Sequence, residues 1–579
     1  MDDAHRRDMG AAIHEIGGGR WLGAAPPLTV AAFVVPIAAG LAGTLLPAFG
    51  YLPAIGSARL SLEPWRLLAE YPGLRSSIVL TLTTGVAATL LSLLLAVGFC
   101  ALVSGRPWAQ RASAALAPLL ATPHSALAIG VAFLLLPSGW IVRALSPWLT
   151  GWTLPPDLAT VGDPRGIALV VGLVLKEVPY LILMISGALN QVPSAPQIAV
   201  ARALGYNRIA AWLKVVLPQV YPQIRLPVYA VLAFSLSVVD VALILGPGNP
   251  PTLAVLAVRW FSDADIHFYF PAAAAATLLG GLVLVAIAAW HGGEQLVAAW
   301  GRRWLAVGRR DGLANRLTAG AGAAAIASFA FAALALAGLA LWSFATQWRF
   351  PAAWPDGLDL ANWARRLDGL ARPAAITLAI GAAATIIALI LVIACLENES
   401  RRPRPVGRAA LWLLYLPLLV PQVAFLFGAQ VLLIRFAADG LFASVVWAHL
   451  IFVLPYLFLS LADPWRALDP RYARTAACLG ASPARVFFRV KLPLLLKPVL
   501  LACAVAFAVS AGQYLPTLFA GNGRVATLTT EAVTLAAGAD RRVIGAYALV
   551  QALLPMLVWL AAVLVPWFLY ARRRGIGRA

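Results

Sequence analysis

The chain has 579 residues, 61% of them hydrophobic and only 12% charged, with a mean hydropathy of +0.84. Soluble domains carry about 45–50% apolar and about 25% charged residues, so this composition excludes one and places the chain in a bilayer. The net charge of +20 would suit an anionic partner, but the cations are scattered between apolar runs, which argues against nucleic acid. Cys100, Cys395, Cys478 and Cys503 stand far apart, without CxxC spacing or a histidine at ligand distance. Neither a disulfide framework nor a metal site is expected.

A helix needs about 20 mostly apolar residues to cross the hydrocarbon core, because each backbone polar group must be satisfied within the segment. Twelve runs qualify, at approximately 28–49, 77–103, 113–136, 167–189, 227–246, 270–290, 318–343, 374–395, 410–434, 444–462, 499–520 and 545–570. Their length and lack of alternation exclude a β-barrel. The polar lead 1–27 reads as a tail before a first span, since further spans follow it.

The tails and the even-numbered connections carry about twice as many Lys and Arg as the opposite loops, which assigns both termini to the cytoplasm. Pairs such as Arg302-Arg303 and Arg309-Arg310, and the tail 572–579 with Arg572 to Arg574, serve as topology anchors on membrane lipid.

The chain repeats itself with a period of about 275–298 residues. Thr81-Leu82, Gly85 and Ala88-Thr89 recur as Thr377-Leu378, Gly381 and Ala384-Thr385. Pro123 and Gly130 recur as Pro421 and Gly428, and Pro179-Tyr180-Leu181 as Pro455-Tyr456-Leu457. The expected fold is therefore all-α and polytopic, with about twelve transmembrane helices in two parallel six-helix repeats and a pathway between them.

The connections after the fourth and tenth spans carry the sharpest signal. One reads SAPQIAVARALGYNRIAAWLKVVLP, the other DPRYARTAACLGASPARVFFRVKLP, with Leu-Gly and Leu-Pro at the same offset of 275. Each reads as a short helix, a glycine break and a second helix. Ser194 with Gln197 suggests a capping box, and Asp469 before Pro470 an N-cap. Gly205 and Gly480 suit a left-handed helix end, after which Asn207 and Ser482 can cap the next helix. A small-residue helix of this kind can insert into a groove on another protein.

This pattern resembles the signature loop of binding-protein-dependent ABC importer permeases: EAA, three residues, Gly, nine residues, Ile, one residue, Leu-Pro. The EAA positions are Ala199, Val200 and Ala201 in one half and Arg474, Thr475 and Ala476 in the other. Gly205 and Gly480 follow, then Val215 and Val490 at the Ile positions, Leu217-Pro218 and Leu492-Pro493. The family's glutamate is absent from both halves.

The resemblance implies two permease domains, 77–291 and 374–571. Outside them lie 28–76, a first span with its outer loop, and 292–373, a linker with the seventh span and its outer loop. It also implies two ATPase copies, one per loop, and an external solute-binding protein, in a bacterial inner membrane. No GxxxxGK[ST] occurs, so no cofactor is expected on this chain, and ATP with Mg belongs to the partner ATPase. A single chain carrying both halves resembles thiamine and ferric-iron permeases, and polyamine permeases share the signature. An ion-coupled secondary transporter with two six-helix halves is the alternative.

Ionisable residues within spans are expensive and mark candidate pathway groups. Asp240 and its repeat partner Gln513, at an offset of 273, are expected to face each other across the pathway, where a carboxylate would favour a cationic solute. Asp240 also suits a helix cap or interhelical bond. Lys176 and Glu177, beside Pro179, read either as a mutually compensated or interhelical pair or as pathway groups. His124 and His449 read as satisfied interior histidines.

Overall fold

The computed structural model describes residues 19–106, 116–308, 310, 312–401, 408–538 and 540–570. The polar lead up to residue 18, the first residues of the expected third span, Arg309 and the basic tail 572–579 lie outside them. Among the described residues the regular structure is helical, and extended pairing is confined to isolated bridges at Leu52–Ser57 and Ala345–Leu358.

Helices occupy all twelve expected spans, but not all cross unbroken. Among the described residues nine are long and apolar enough to cross a membrane. Two bent pairs raise the number to eleven: Trp412–Leu419 with Gln422–Arg435, at 89°, and Pro483–Leu494 with Leu496–Ala511, at 74°. The expected run 227–246 accounts for the difference from twelve. Its helix Leu217–Ser237 stops and restarts as Asp240–Leu245, and the first turns are diluted by Gln219, Gln223 and Arg225.

The breaks recur in both halves. Pro123 and Pro421 precede the helices His124–Leu135 and Gln422–Arg435. Proline supplies no N–H and biases the preceding residue away from helix, and Thr122 is extended accordingly. Later in each half, a helix ending at Ser237 or Ala511 is followed by two short helices, Asp240–Leu245 and Leu253–Phe261 or Leu515–Gly521 and Leu528–Ala536.

The halves exchange their first helices. A Cβ on Gly130 would fall 2.7 Å from the carbonyl oxygen of Ala335 in the seventh span, and one on Gly428 2.0 Å from that of Gly40 in the first. Gly130 and Gly428 are repeat equivalents, so each half seats the leading helix of the other against a backbone that only glycine leaves bare. Close approach through small residues is how helices associate where lipid removes the hydrophobic drive. Thr44 Oγ1 adds a bond from the Gly428 N–H at 3.1 Å.

Leu90, Leu94, Leu284, Ile386, Ile390 and Leu557 are exposed on the helices' outer faces. That surface would be an aggregation hazard in water and is the natural contact with lipid chains.

Candidate functional site

The two signature loops fold alike. Ser194–Ala203 and Pro470–Cys478 are the leading helices, each ended by a left-handed glycine, Gly205 at φ +87° and Gly480 at φ +82°. A side chain with a Cβ is disfavoured there, by about 1–2 kcal/mol. Asn207 then accepts from the Ala210 N–H at 2.8 Å and Ser482 from the Arg485 N–H at 3.4 Å, capping Arg208–Ala211 and Pro483–Val486. Each second helix passes into a π-helical turn, Trp212–Val216 or Phe487–Lys491, just before Leu217-Pro218 or Leu492-Pro493. Such turns arise where an extra residue is held inside a helix, frequently at functional sites.

Asp469 caps its helix, accepting from the Arg471 N–H at 2.8 Å. The Ser194–Gln197 capping box does not form. Pro193 occupies the N-cap without a side-chain bond, and Gln197 instead exchanges bonds with Gln219 across the loop. Ala199, Val200, Arg474 and Thr475 are exposed, with Ala201 buried and Ala476 half-buried. Val215, Leu217, Val490, Leu492 and Pro493 are half-buried and Pro218 is exposed. Leu204 and Leu479 also stand in solvent at 61% and 83% exposure, next to the glycines.

The loops are anchored differently. Lys214 Nζ lies 5.2 Å from the Tyr206 ring centroid and 4.6 Å from that of Trp304, and Tyr206 Oη donates to the Gly308 carbonyl, so the linker between the halves folds over the first loop. In the second, Lys491 Nζ donates to Glu397 of the eighth span at 2.7 Å, and Glu397 also accepts from Arg401 at 3.0 Å. Neither anchor was recognised in the sequence, because Trp304 and Glu397 are remote from the loops along the chain.

Within the membrane, Lys176 and Glu177 do not pair with each other, since adjacent residues on a helix point apart. Lys176 Nζ donates to the carbonyls of Leu119 and Leu120, each at 2.8 Å, and to that of Thr122, satisfying acceptors released at the break before Pro123. Glu177 Oε1 lies 3.5 Å from His124 Nε2, so His124 is part of this polar group, with its ring 4.8 Å from that of Phe234. His449 is a satisfied interior histidine, bonded to Ser510 at 2.8 Å and Thr517 at 2.9 Å.

Asp240 opens the short helix after the break, with its carboxylate against its own N–H and that of Val241, and within electrostatic reach of His124 and Tyr514. Asp240 is the first residue of that helix, whose N-cap Val239 makes no side-chain bond, so its carboxylate stands at the positive helix end beside groups from both halves. Gln513 is buried next to Tyr514, its Oε1 without a hydrogen-bond partner among the described residues. The repeat-equivalent Tyr180 and Tyr456 lie within electrostatic reach of each other, of Glu177 and of Tyr415. The recurring Pro-Tyr-Leu was the available signal for these tyrosines.

Among the described residues no group of three His, Cys, Asp or Glu is placed to hold a metal ion. No family model matches the chain. It is 35% identical over 523 residues to the inner membrane ABC transporter permease protein YnjC of Escherichia coli, covering 89% of this chain and 93% of that protein. Shorter stretches match the molybdenum transport system permease protein ModB of Mycobacterium tuberculosis, 35% identical over 164 residues, 26% of this chain and 61% of that one. A spermidine/putrescine transport system permease protein PotC homolog of Mycoplasma genitalium is 31% identical over 90 residues, 16% of this chain and 31% of that one. The chain therefore belongs to the ABC transporter permeases: it is the multi-pass inner-membrane subunit of an importer, a transport component working with a separate ATPase and a binding protein, and not an enzyme.

Proposed function

We propose that this chain forms the complete translocation pathway for a small cationic solute handed over by the external binding protein, with one ATPase copy seated on each signature loop. The observation that carries the coupling role is the duplicated loop: helix, left-handed glycine, side-chain cap and π-helical turn in both halves, with exposed Val200 and Leu204 in one and Leu479 and Phe488 in the other. Apolar side chains standing in solvent on a short helix suit insertion into a partner's groove. Ala199 and Arg474 replace the family's glutamate, so this contact rests on apolar packing, with Arg474 available to an acidic group on the ATPase. ATP and Mg belong to that partner.

Loop charge supports both termini and both signature loops on the cytoplasmic face, with the basic connections resting on lipid headgroups. Closure of the ATPases would then pull on the two loops and rock the halves about their shared interface.

The cationic preference rests on Lys176, Glu177 and Asp240: Lys176 is engaged by carbonyls, which leaves two carboxylates close to His124. Thiamine, ferric iron and polyamines all fit that preference. The names of the shorter-matching relatives point to different cargoes, so the pathway residues carry this choice. The decisive experiment is co-purification of the tagged chain followed by uptake in proteoliposomes. An ATPase in the complex, and uptake that needs ATP and the binding protein, support the reading. A chain that brings down no ATPase and transports on an ion gradient alone overturns it.

A further inference from the structure

The sixth-span helix Tyr269–Ala306 continues past the bilayer beside the first signature loop. Glu294 marks where it leaves the hydrocarbon: its carboxylate accepts from Tyr221 at 2.7 Å and Tyr229 at 3.1 Å and lies 2.9 Å from Arg225 Nε. Charged groups are costly deeper in the membrane. The stretch from Gln295 to Ala306 adds about 18 Å of helix, against a headgroup layer of roughly 5–8 Å on each side.

This extension meets the chain around the first loop at two levels. Glu294 reaches Tyr221 and Arg225 at one, and the Trp304 ring centroid lies 4.6 Å from Lys214 Nζ at the other. Between them, in antiparallel register, stand Val297 and Trp300 on the extension and Leu217-Pro218 opposite. Val297 falls at helical spacing from both Glu294 and Trp304 and so shares their face, yet it is 73% exposed. Trp300 is equally exposed, and Pro218 is exposed too. The two segments are thus joined at both ends of an open apolar cleft. Its floor offers an acceptor, because Pro222 gives the Pro218 carbonyl no N–H four residues on.

In the second half the chain itself closes this place. Tyr570, at the end of the last helix, donates to the carbonyl of Pro493, the repeat equivalent of Pro218, at 2.9 Å. The glycines differ as well: Arg310 Nη1 lies 3.1 Å from the Cβ position of Gly205, whereas among the described residues nothing lies within 4 Å of that of Gly480. Arg303, one turn from Trp300, and Arg310 are exposed, and among the described residues neither is held in an ion pair.

We propose that this cleft is a second docking site for the ATPase copy seated on the first loop. It takes an apolar side chain carrying a hydrogen-bond donor, as Tyr570 supplies in the second half, from a segment whose carboxylates meet Arg303 and Arg310. The ATPase is favoured as occupant because the cleft borders the signature motif: Leu217-Pro218 ends that motif, Tyr206 Oη holds the linker at the Gly308 carbonyl, and Val200 and Leu204 stand exposed on the same loop. A lipid chain offers no donor for the Pro218 carbonyl. The two ATPase seats are therefore unequal, the first broader than the second. The inference rests on the importer reading above.

The test uses the assembled transporter, this chain with its ATPase subunits, in nanodiscs of phosphatidylethanolamine and phosphatidylglycerol. A photocrosslinking phenylalanine replaces Leu204, Val297 or Trp300 in turn, and capture of the ATPase from all three positions is expected. Capture of lipid alone, or of nothing, from 297 and 300 while 204 captures the ATPase overturns the proposal and leaves the importer reading standing. Val297→Trp, which plugs the cleft from an exposed position, should weaken ATPase association about tenfold with the permease eluting normally. Arg303→Glu should flatten the salt dependence of that association. Unchanged ATPase association in both Val297→Trp and Trp300→Glu also overturns the proposal. Loss of ATPase co-purification from the unmodified chain overturns the importer reading instead.

Discussion

Thr81 and Thr377 perform one task at equivalent places in the two halves. Thr81 Oγ1 accepts the N–H of Leu253, and Thr377 Oγ1 that of Leu528, both at 2.9 Å, and each hydroxyl donates to a carbonyl one turn back, Ser77 or Pro373, at 2.7 Å. Leu253 and Leu528 open the short buried helices that follow the breaks, where first-turn N–H groups lack intrahelical partners. Thr81→Val or Thr377→Val keeps the shape and strands that N–H. Each should destabilise by about 1–3 kcal/mol, read as a lower melting temperature in detergent, and the paired serine variants should recover most of it.

Gly130 and Gly428 carry the exchange of leading helices. Replacing Gly428 by valine sets a side chain against the Gly40 carbonyl, where no rotamer relieves the clash. Overpacking of this kind costs about 1–3 kcal/mol or more, and the expected result is loss of the monodisperse peak in size-exclusion chromatography. Gly281, with open space around its Cβ position, is the control, and Gly281→Ala should elute normally.

Asp240→Asn and Glu177→Gln retain volume and remove charge. On the pathway reading, each should reduce uptake of a cationic solute by about tenfold, the effect of roughly 1.4 kcal/mol, while ATPase co-purification is retained. Transport unchanged in both would remove them from the pathway. Lys176→Met should behave differently: it strands the carbonyls of Leu119, Leu120 and Thr122 and should lower the yield of folded protein before uptake is affected.

The two coupling loops should fail in different ways. Gly205→Val and Gly480→Val each force a branched side chain into a left-handed conformation and should raise ATP hydrolysis per solute moved, or release the ATPase. Trp304→Ala removes a cation–π contact of about 0.5–2 kcal/mol from Lys214 and should loosen the first loop alone. Glu397→Gln should loosen the second. Faster proteolysis at one loop only, in each variant, would show the asymmetry.

The loops were legible in the chain because they are local: Gly205 and Gly480 terminate helices, and Asn207 and Ser482 cap the next, within a few residues of sequence. The capping box at Ser194 failed because Pro193 already stands at the helix start and Gln219 offers Gln197 a better partner. Lys176 and Glu177 are adjacent and opposite in charge, which left mutual compensation and interhelical bonding both open; the helix aims them at separate partners around the break at Pro123.

Apolar run length, loop charge and the duplicated Leu-Gly and Leu-Pro spacing by themselves determined a polytopic helical chain in two halves carrying an ABC permease signature, because each is a property of neighbouring residues. Tertiary structure alone decided which helices break, that each half seats the other's leading span, and that Arg143 and Arg541, distant in the chain, meet at the Ser138 carbonyl. Those outcomes depend on backbone contacts between remote segments, where a bare glycine or an orphaned carbonyl matters only once its partner has arrived.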